Sequence, residues 1–137
     1  MADLNLGYKY GTRTIVQFAV DSAATFDSND MVALDSDGYL IKAVSGSNVI
    51  GVAYDAHPTA SGTDGATFVG VDVSQDSVYL FTAASVTQAM AGKTCDVAGS
   101  QAIDVTASAD DCILIVRPLV ALGQAEVQIR HVRAGVV

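Results

Sequence analysis

The sequence predicts an all-β fold: a compact, tulip-like β-barrel or a sandwich, with one short helix and an extended N-terminal arm. Roughly nine or ten short segments rich in β-branched and aromatic residues follow one another at close spacing, as in barrels and sandwiches. Two of these segments are joined by an Asp-Gly turn, the strongest short-range signal for a β-hairpin. Only residues 82–91 have the character of a helix, with Thr82 or Ser85 as its cap and Gly92 as its stop.

The first twelve residues differ from the rest and predict an arm, residues 1–12, ahead of a single β-rich domain, residues 13–137. Glycines and tyrosines lie among polar residues here, without the pattern of a core element. Apolar and polar residues alternate, which suits an extended segment that lays one face on a partner and pairs with an exposed strand edge. The candidate partner-binding residues are Leu4, Leu6, Tyr8 and Tyr10.

The next strands are predicted at residues 13–20, 31–34, 39–43 and 49–54, with Phe26 anchoring the polar connection of residues 21–30 in the core. Residues 31–34 and 39–43 form a hairpin across Asp35-Ser-Asp-Gly38, because Gly38 can adopt the positive φ that the turn requires. The strand at 49–54 is expected to lie against this hairpin as a meander.

The second half of the chain continues as strands around the one predicted helix. Residues 66–73 alternate, with Val69, Val71 and Val73 on one face, and residues 77–81 are their predicted hairpin partner. Short strands are expected at 94–97 and 103–106. Two longer strands, residues 112–120 and 126–133, close the chain around the loop 121–124.

Composition indicates a domain that is covered by a partner over part of its surface. Half of the 137 residues are hydrophobic and only 16% are charged, against about 25% for an average domain. No stretch approaches the ~18 apolar residues of a membrane span. A net charge of −8 would repel nucleic acid. An obligate homo-oligomer is the usual explanation for so little charge.

No set of residues predicts a reaction, a cofactor or a metal site. The segment around Asp35 fails as a calcium loop, because Ala33 and Val44 occupy positions where carboxylates are required. His57 and His131 accompany no nucleophile elbow of the Gly-x-Ser-x-Gly type. Cys95 and Cys112 are either buried free thiols or a disulfide pair.

One basic cluster is present near the end of the chain. It has two interpretations: a solvated strand edge, or a patch complementary to an acidic surface, including that of a neighbouring copy. Its members are Arg117, Arg130, His131 and Arg133.

Three segments together resemble the small decoration, or cement, proteins of tailed-bacteriophage capsids. They are Asp30-Met-Val-Ala-Leu-Asp35, Asp37-Gly-Tyr-Leu-Ile-Lys-Ala43 and Val49-Ile-Gly-Val-Ala53, with a fainter echo in Gly65-Ala-Thr-Phe-Val-Gly-Val71. In that family a glycine often precedes the first strand, where this chain has Asn29-Asp30.

The resemblance implies a β-rich body, usually trimeric, on the exterior of a virion capsid, made in the host cytoplasm. It implies the major capsid protein as partner, an N-terminal arm that adds to a shell strand, and no enzyme activity, nucleic acid, membrane or small-molecule substrate. Two alternatives stand beside it. One is a carbohydrate- or ligand-binding β-sandwich, which the lack of tryptophan disfavours. The other is a different phage structural component, such as a tail-tube or head-fibre protein.

Overall fold

A computed structural model describes residues 5–130 of the chain. In these residues it contains eleven strands, two short 3-10 turns and no α-helix. No helix in the described part is long and apolar enough to cross a membrane. The strands are β1 (Gly7–Tyr10), β2 (Ile15–Ala19), β3 (Met31–Leu34), β4 (Leu40–Lys42), β5 (Gly51–Ala53), β6 (Phe68–Asp72), β7 (Val78–Thr82), β8 (Thr94–Gly99), β9 (Ala102–Asp104), β10 (Ile113–Leu119) and β11 (Gln124–Ile129), and the 3-10 turns are Gln88–Met90 and Val120–Leu122.

Five of the strands close into a barrel, which confirms the predicted all-β barrel class. The strands follow the order β7-β11-β10-β8-β9, and β9 returns to β7 through a parallel pairing of Thr82 with Ala102. Closure removes free strand edges from this ring. Its interior is a hydrophobic core that includes Phe81, Ile113, Ile115, Val127 and Ile129.

A second sheet with the order β2-β6-β5-β3-β4 forms the other half of the molecule. Its two end strands approach each other, because Val20 just after β2 makes a parallel bridge to Leu40 in β4. The enclosed space holds a second hydrophobic cluster. Phe26 is buried there, as predicted, together with Val20, Val32, Leu40 and Val71.

The hairpin of β3 and β4 is confirmed. Val32 pairs with Lys42 and Leu34 with Leu40, and Gly38 has a φ of 88°. The Asp35 carboxylate accepts hydrogen bonds from the N–H groups of Asp37 and Tyr39, both at 2.9 Å, and so fixes the turn from within.

The third strand of this region lies beside β3 rather than β4, so the predicted meander order is wrong. Met31 pairs with Val52, and on its other side β5 pairs with β6. Gly51 permits this position, because a Cβ there would collide with the carbonyl oxygen of Asp72.

Two further predictions in the middle of the chain are wrong. β6 and β7 do not form a hairpin: β6 belongs to the second sheet and β7 to the barrel. The helix predicted at residues 82–91 is reduced to the 3-10 turn Gln88–Met90, since Thr82 still belongs to β7 and Ser85 has a φ of 63°, which no α-helix tolerates. The strands predicted at 94–97 and 103–106 and the hairpin at the end of the chain are found as β8, β9, β10 and β11. Residues 131–133 of the last predicted strand lie outside the described residues.

The N-terminal segment is part of the folded body, so the predicted independence of residues 1–12 is wrong for residues 7–10. They form β1, which pairs with β7 of the barrel at Gly7–Leu80 and Tyr8–Tyr79. The Tyr8 ring packs edge-on against Tyr79 with 5.7 Å between centroids. A tyrosine ring has a large apolar surface, and Tyr8 packs this surface against the barrel of its own chain.

Candidate functional site

Tyr8 and Tyr10, two of the predicted partner-binding residues of the N-terminal segment, do not share one face. A register shift between Tyr8 and Tyr10 places Tyr8 beside Tyr79 and Tyr10 beside Val78. Val78 and Tyr79 are neighbours in β7 and point to opposite sides of the sheet, so the residues beside them do the same. Tyr8 therefore faces the barrel core, whereas Tyr10 is 50% exposed. Leu6 is half-buried, and Leu4 lies outside the described residues.

The predicted basic patch is partly neutralised. Arg117 donates two hydrogen bonds to Glu126, from Nε to Oε1 at 3.1 Å and from Nη2 to Oε2 at 2.9 Å. The hydrogen bond to Glu126 and its negative charge raise the pKa of Arg117. Arg130 is exposed, and His131 and Arg133 lie outside the described residues. Within the described part, the structure therefore offers one member of this patch, Arg130, as a cation without an ion pair.

Glu126 connects the patch to the N-terminal strand. It is a buried carboxylate, and the Tyr10 hydroxyl lies 3.4 Å from its Oε1. The pairing of β1, β7, β11 and β10 thus brings together the N-terminal strand and the basic patch, which lie far apart in sequence. The result is a structural cluster whose charge is internally balanced.

A polar cleft of about 500 Å³ is present on the described surface. It is lined by residues of β1 and β5 and by Arg13, which precedes β2 in sequence. The side chains that define it are Tyr8, Arg13 and Tyr54, with Lys9, Asn29 and Ser28 also lining the wall. The Arg13 guanidinium carbon lies 3.5 Å from the centroid of the Tyr8 ring and 5.3 Å from that of Tyr54. Arg13 is therefore held by cation–π contacts on the tyrosine faces.

Sequence reasoning missed this cleft. The sequence predicts Arg13 as the first residue of one strand and Tyr54 as the last residue of another. Their meeting depends on β2 and β5 both flanking β6, which no local pattern reveals. A usable signal was the density of tyrosine and cationic side chains in residues 8–13 of an otherwise charge-poor chain.

A buried carboxylate beside the cleft connects the two sheets. Asp72 accepts hydrogen bonds from the hydroxyls of Ser77 and Tyr79 at 2.6 and 2.7 Å. It also accepts from the N–H groups of Thr14 and Ser74 at 3.1 and 3.0 Å. Burial, followed by the hydrogen bond to Asp72, raises the pKa of the Tyr79 hydroxyl, which stays protonated and donates.

An exposed apolar face surrounds Gly70 on the outside of the second sheet. It consists of Ile15, Tyr54 and Phe68, which are 39%, 48% and 60% exposed. Gly70 has no side chain at the centre of this face. Its neighbours lie close, because a Cβ there would lie 3.0 Å from both Ile15 Cγ2 and Asp55 Oδ2. Large exposed aromatic residues grouped in this way are typical of surfaces that bind another protein.

The remaining reactive side chains serve the fold. His57 is buried, its ring lies 5.6 Å from that of Phe26, and its backbone pairs with the same residue. Cys95 and Cys112 are buried free thiols, and burial raises the pKa of Cys95 to about 12, so a thiolate is not available at neutral pH. Among residues 5–130, no group of three or more His, Cys, Asp or Glu side chains is arranged to hold a metal ion.

Comparison of the chain with protein-family models, with curated proteins and with solved structures finds no significant match.

Proposed function

We propose that the chain is a virion structural protein: a decoration, or cement, protein that binds the outside of a bacteriophage capsid and stabilises the shell. The observation that carries the proposal is the resemblance of residues 30–35, 37–43 and 49–53, which form one unit of three adjacent strands, β4-β3-β5. A motif that folds as a continuous piece of sheet is a stronger basis than three scattered matches. The proposed partner is the major capsid protein, and no enzyme activity is proposed.

The exposed apolar face of Ile15, Tyr54 and Phe68 supports a binding role. Aromatic and aliphatic side chains at 39–60% exposure gain stabilisation when a partner removes them from water, at roughly 25 cal/mol per Å² of apolar surface. We assign this face to contact with the shell or with a neighbouring copy in a homotrimer. The low charge of the chain, 16% of residues, suits such a covered surface.

The free edge of β1 is the second proposed contact. One edge of Gly7–Tyr10 pairs with β7, and the other pairs with no strand in the described part of the chain. An extended segment of the shell could add there as a further strand. This replaces the arm predicted from sequence, since residues 7–10 are already part of the body. Three copies in a trimer would raise the effective affinity of each weak contact.

The test is cosedimentation of the purified protein with phage capsid shells assembled without it. Wild-type protein should bind saturably, and Phe68→Glu should weaken binding at least tenfold. The matched control is Val44→Glu, because Val44 is 62% exposed, as Phe68 is at 60%, but lies in the loop between β4 and β5. The proposal fails if wild-type protein does not sediment with the shells. The assignment of the face fails if both variants bind equally.

The oligomeric state is measured separately by analytical ultracentrifugation. The proposal expects a trimer in solution or on the particle, each subunit burying on the order of 800 Å² or more. A monomer at high concentration, together with single copies on decorated shells, would remove the trimer from the proposal.

A further inference from the structure

Two tyrosine rings lie against the faces of the Arg13 guanidinium, and no residue in the described part of the chain pairs with its edges. Tyr8 covers one face at 3.5 Å and Tyr54 lies 5.3 Å away. Cation–π contact satisfies the charge in part but uses none of the N–H donors, which point outward in the plane of the group. No described residue forms a hydrogen bond or an ion pair with Arg13, and its buried Nε has no acceptor in the described part of the chain. A buried donor without an acceptor is destabilising.

The same chain shows what such an edge binds when it is paired. Arg117 presents Nε and Nη2 to the two oxygens of Glu126 at 3.1 and 2.9 Å. This two-point arrangement matches the geometry of a carboxylate. Arg13 has the same donors, and no acidic residue among residues 5–130 pairs with it.

The surroundings of Arg13 favour a single carboxylate as the missing group. Lys9 adds a second positive charge to the cleft, and Asn29 and Ser28 add polar side chains. None of the described residues that line the wall is acidic. Asp72, which accepts from the N–H of the adjacent Thr14, already holds four donors. A nucleic-acid strand, in contrast, would bring many phosphates against a chain of net charge −8.

We propose that the Tyr8–Arg13–Tyr54 cleft is a binding site for a carboxylate, carried either by an acidic residue of an extended peptide or by a small organic acid. The carboxylate meets the edge of the Arg13 guanidinium, with Lys9 supplying additional positive charge. Tyr54 is half exposed and its ring is the more distant of the two from Arg13, so this ring can move to let the carboxylate reach the guanidinium. The proposal goes beyond the capsid-decoration function above and does not rest on it, although the cleft shares Tyr54 with the exposed apolar face.

The experiment is an NMR titration of the ¹⁵N-labelled full chain, in which the side-chain Nε–H signal of Arg13 reports directly on the site. The probes are N-acetyl-aspartate, its uncharged match N-acetyl-asparagine, inorganic phosphate, and the peptide acetyl-Ala-Asp-Leu-amide. The two aspartate probes should move the Arg13 signal saturably, and N-acetyl-asparagine should not. Peptide binding at least tenfold tighter than that of N-acetyl-aspartate identifies a peptide as the natural source, whereas equal affinity identifies a small acid.

Variants separate the cleft from general charge. Arg13→Gln should weaken binding of the aspartate probes at least tenfold. Arg13→Lys keeps the positive charge but cannot form two parallel hydrogen bonds to a carboxylate, and it should weaken binding less. Lys93→Gln removes an exposed cation that does not line the cleft and should change nothing. Because Asp3 lies outside the described residues, the titration is repeated on Asp3→Asn. Tighter probe binding there identifies the chain's own carboxylate as the ligand, and unchanged binding identifies an external one.

Three outcomes would overturn the proposal. The first is the absence of any saturable change in the Arg13 Nε–H signal of the wild-type protein, which needs no variant to fold. The second is an equal response to N-acetyl-asparagine. The third is phosphate binding tighter than the aspartate probes, since this would assign the cleft to a different class of anion.

Discussion

The hydroxyl of Tyr79 donates a 2.7 Å hydrogen bond to the carboxylate of Asp72, and this contact joins the two halves of the molecule. Tyr79 belongs to β7 of the barrel, and Asp72 ends β6 of the second sheet. Asp72 is 1% exposed, so its charge is tolerated only because four donors surround it. The chain crosses from one sheet to the other at this carboxylate.

Tyr79→Phe should therefore lower the free energy of unfolding by about 1.5–3 kcal/mol, the usual contribution of a hydrogen bond to a charged group. Urea denaturation followed by circular dichroism measures the change. Tyr54→Phe is the control, because Tyr54 is half exposed and its hydroxyl forms no hydrogen bond with a described residue. Equal stability of wild type and Tyr79→Phe would show that Asp72 does not depend on this donor.

Asp96 predicts an acid-dependent loss of stability. Burial raises its pKa, but hydrogen bonds from the N–H groups of Asp111, Asp110 and Ala109 outweigh burial and hold the pKa below its ordinary value. A carboxyl whose pKa is lowered by folding stabilises the protein above its unfolded pKa, about 3.9, and loses that contribution as the pH falls through the folded pKa.

Asp96→Asn tests this sign. The variant should be less stable than wild type at about pH 6, and the difference should shrink as the pH falls below about 4. Both proteins keep Asp104, Asp110 and Asp111, so the difference isolates Asp96. Unfolding midpoints in urea across this range provide the measurement. A difference that is constant with pH would contradict the shifted pKa.

The Asp35–Gly38 turn gives a prediction that depends on backbone strain alone. Gly38 has a φ of 88°, and nothing lies within 4 Å of a Cβ placed on it. Gly38→Ala should cost about 1 kcal/mol, because a side chain disfavours this φ even where space is free. Gly99→Ala is the matched control, since Gly99 is equally open but has no positive φ. Thermal unfolding of both variants should separate them, and equal melting temperatures would contradict the strain.

Local chemistry explains which parts of the fold could be predicted. The β3–β4 hairpin depends on Asp35 and Gly38, only three residues apart, and the structure confirms both its strands and its turn. The pairing of β10 with β11 likewise involves neighbours in sequence, closed by Gly123 in the left-handed region. In both cases turn residues between strand patterns carry the information.

The arrangement of the strands into two sheets could not be predicted in the same way. Alternation in residues 66–73 shows that β6 has two faces but does not say which strand lies beside it. The hairpin expected with β7 does not form, because Ser74 and Ser77 bind Asp72 and turn the chain into the other sheet. The candidate site was missed for the same reason: Arg13 and Tyr54 meet only after the sheet has formed. The place of the N-terminal segment could not be predicted either, because Tyr8 and Tyr79, which pair in the sheet, lie far apart in sequence.

The structure reverses the expected effect of removing the N-terminal segment. A mobile arm could be deleted at residues 2–12 without changing the melting temperature. The observed β1 instead pairs with β7 and places the Tyr8 ring on Tyr79, and such aromatic pairs contribute about 0.5–1.5 kcal/mol beyond their buried area. Deletion of residues 2–12 should therefore lower the melting temperature by at least about 3 °C, as expected for a loss of 1–2 kcal/mol in a domain of this size.

Two point variants locate the effect within β1. Tyr8→Ala should reproduce most of the loss, because Tyr8 faces the core and its hydroxyl also donates to the carbonyl of Gly11 at 2.6 Å. Tyr10→Ala should have a smaller effect, since that ring is half exposed and lies 3.4 Å from Glu126 at its hydroxyl. Thermal melts followed by circular dichroism provide the measurement. If the truncated protein melts within a degree of the full chain, β1 contributes nothing to the body, and the segment is the separable arm after all.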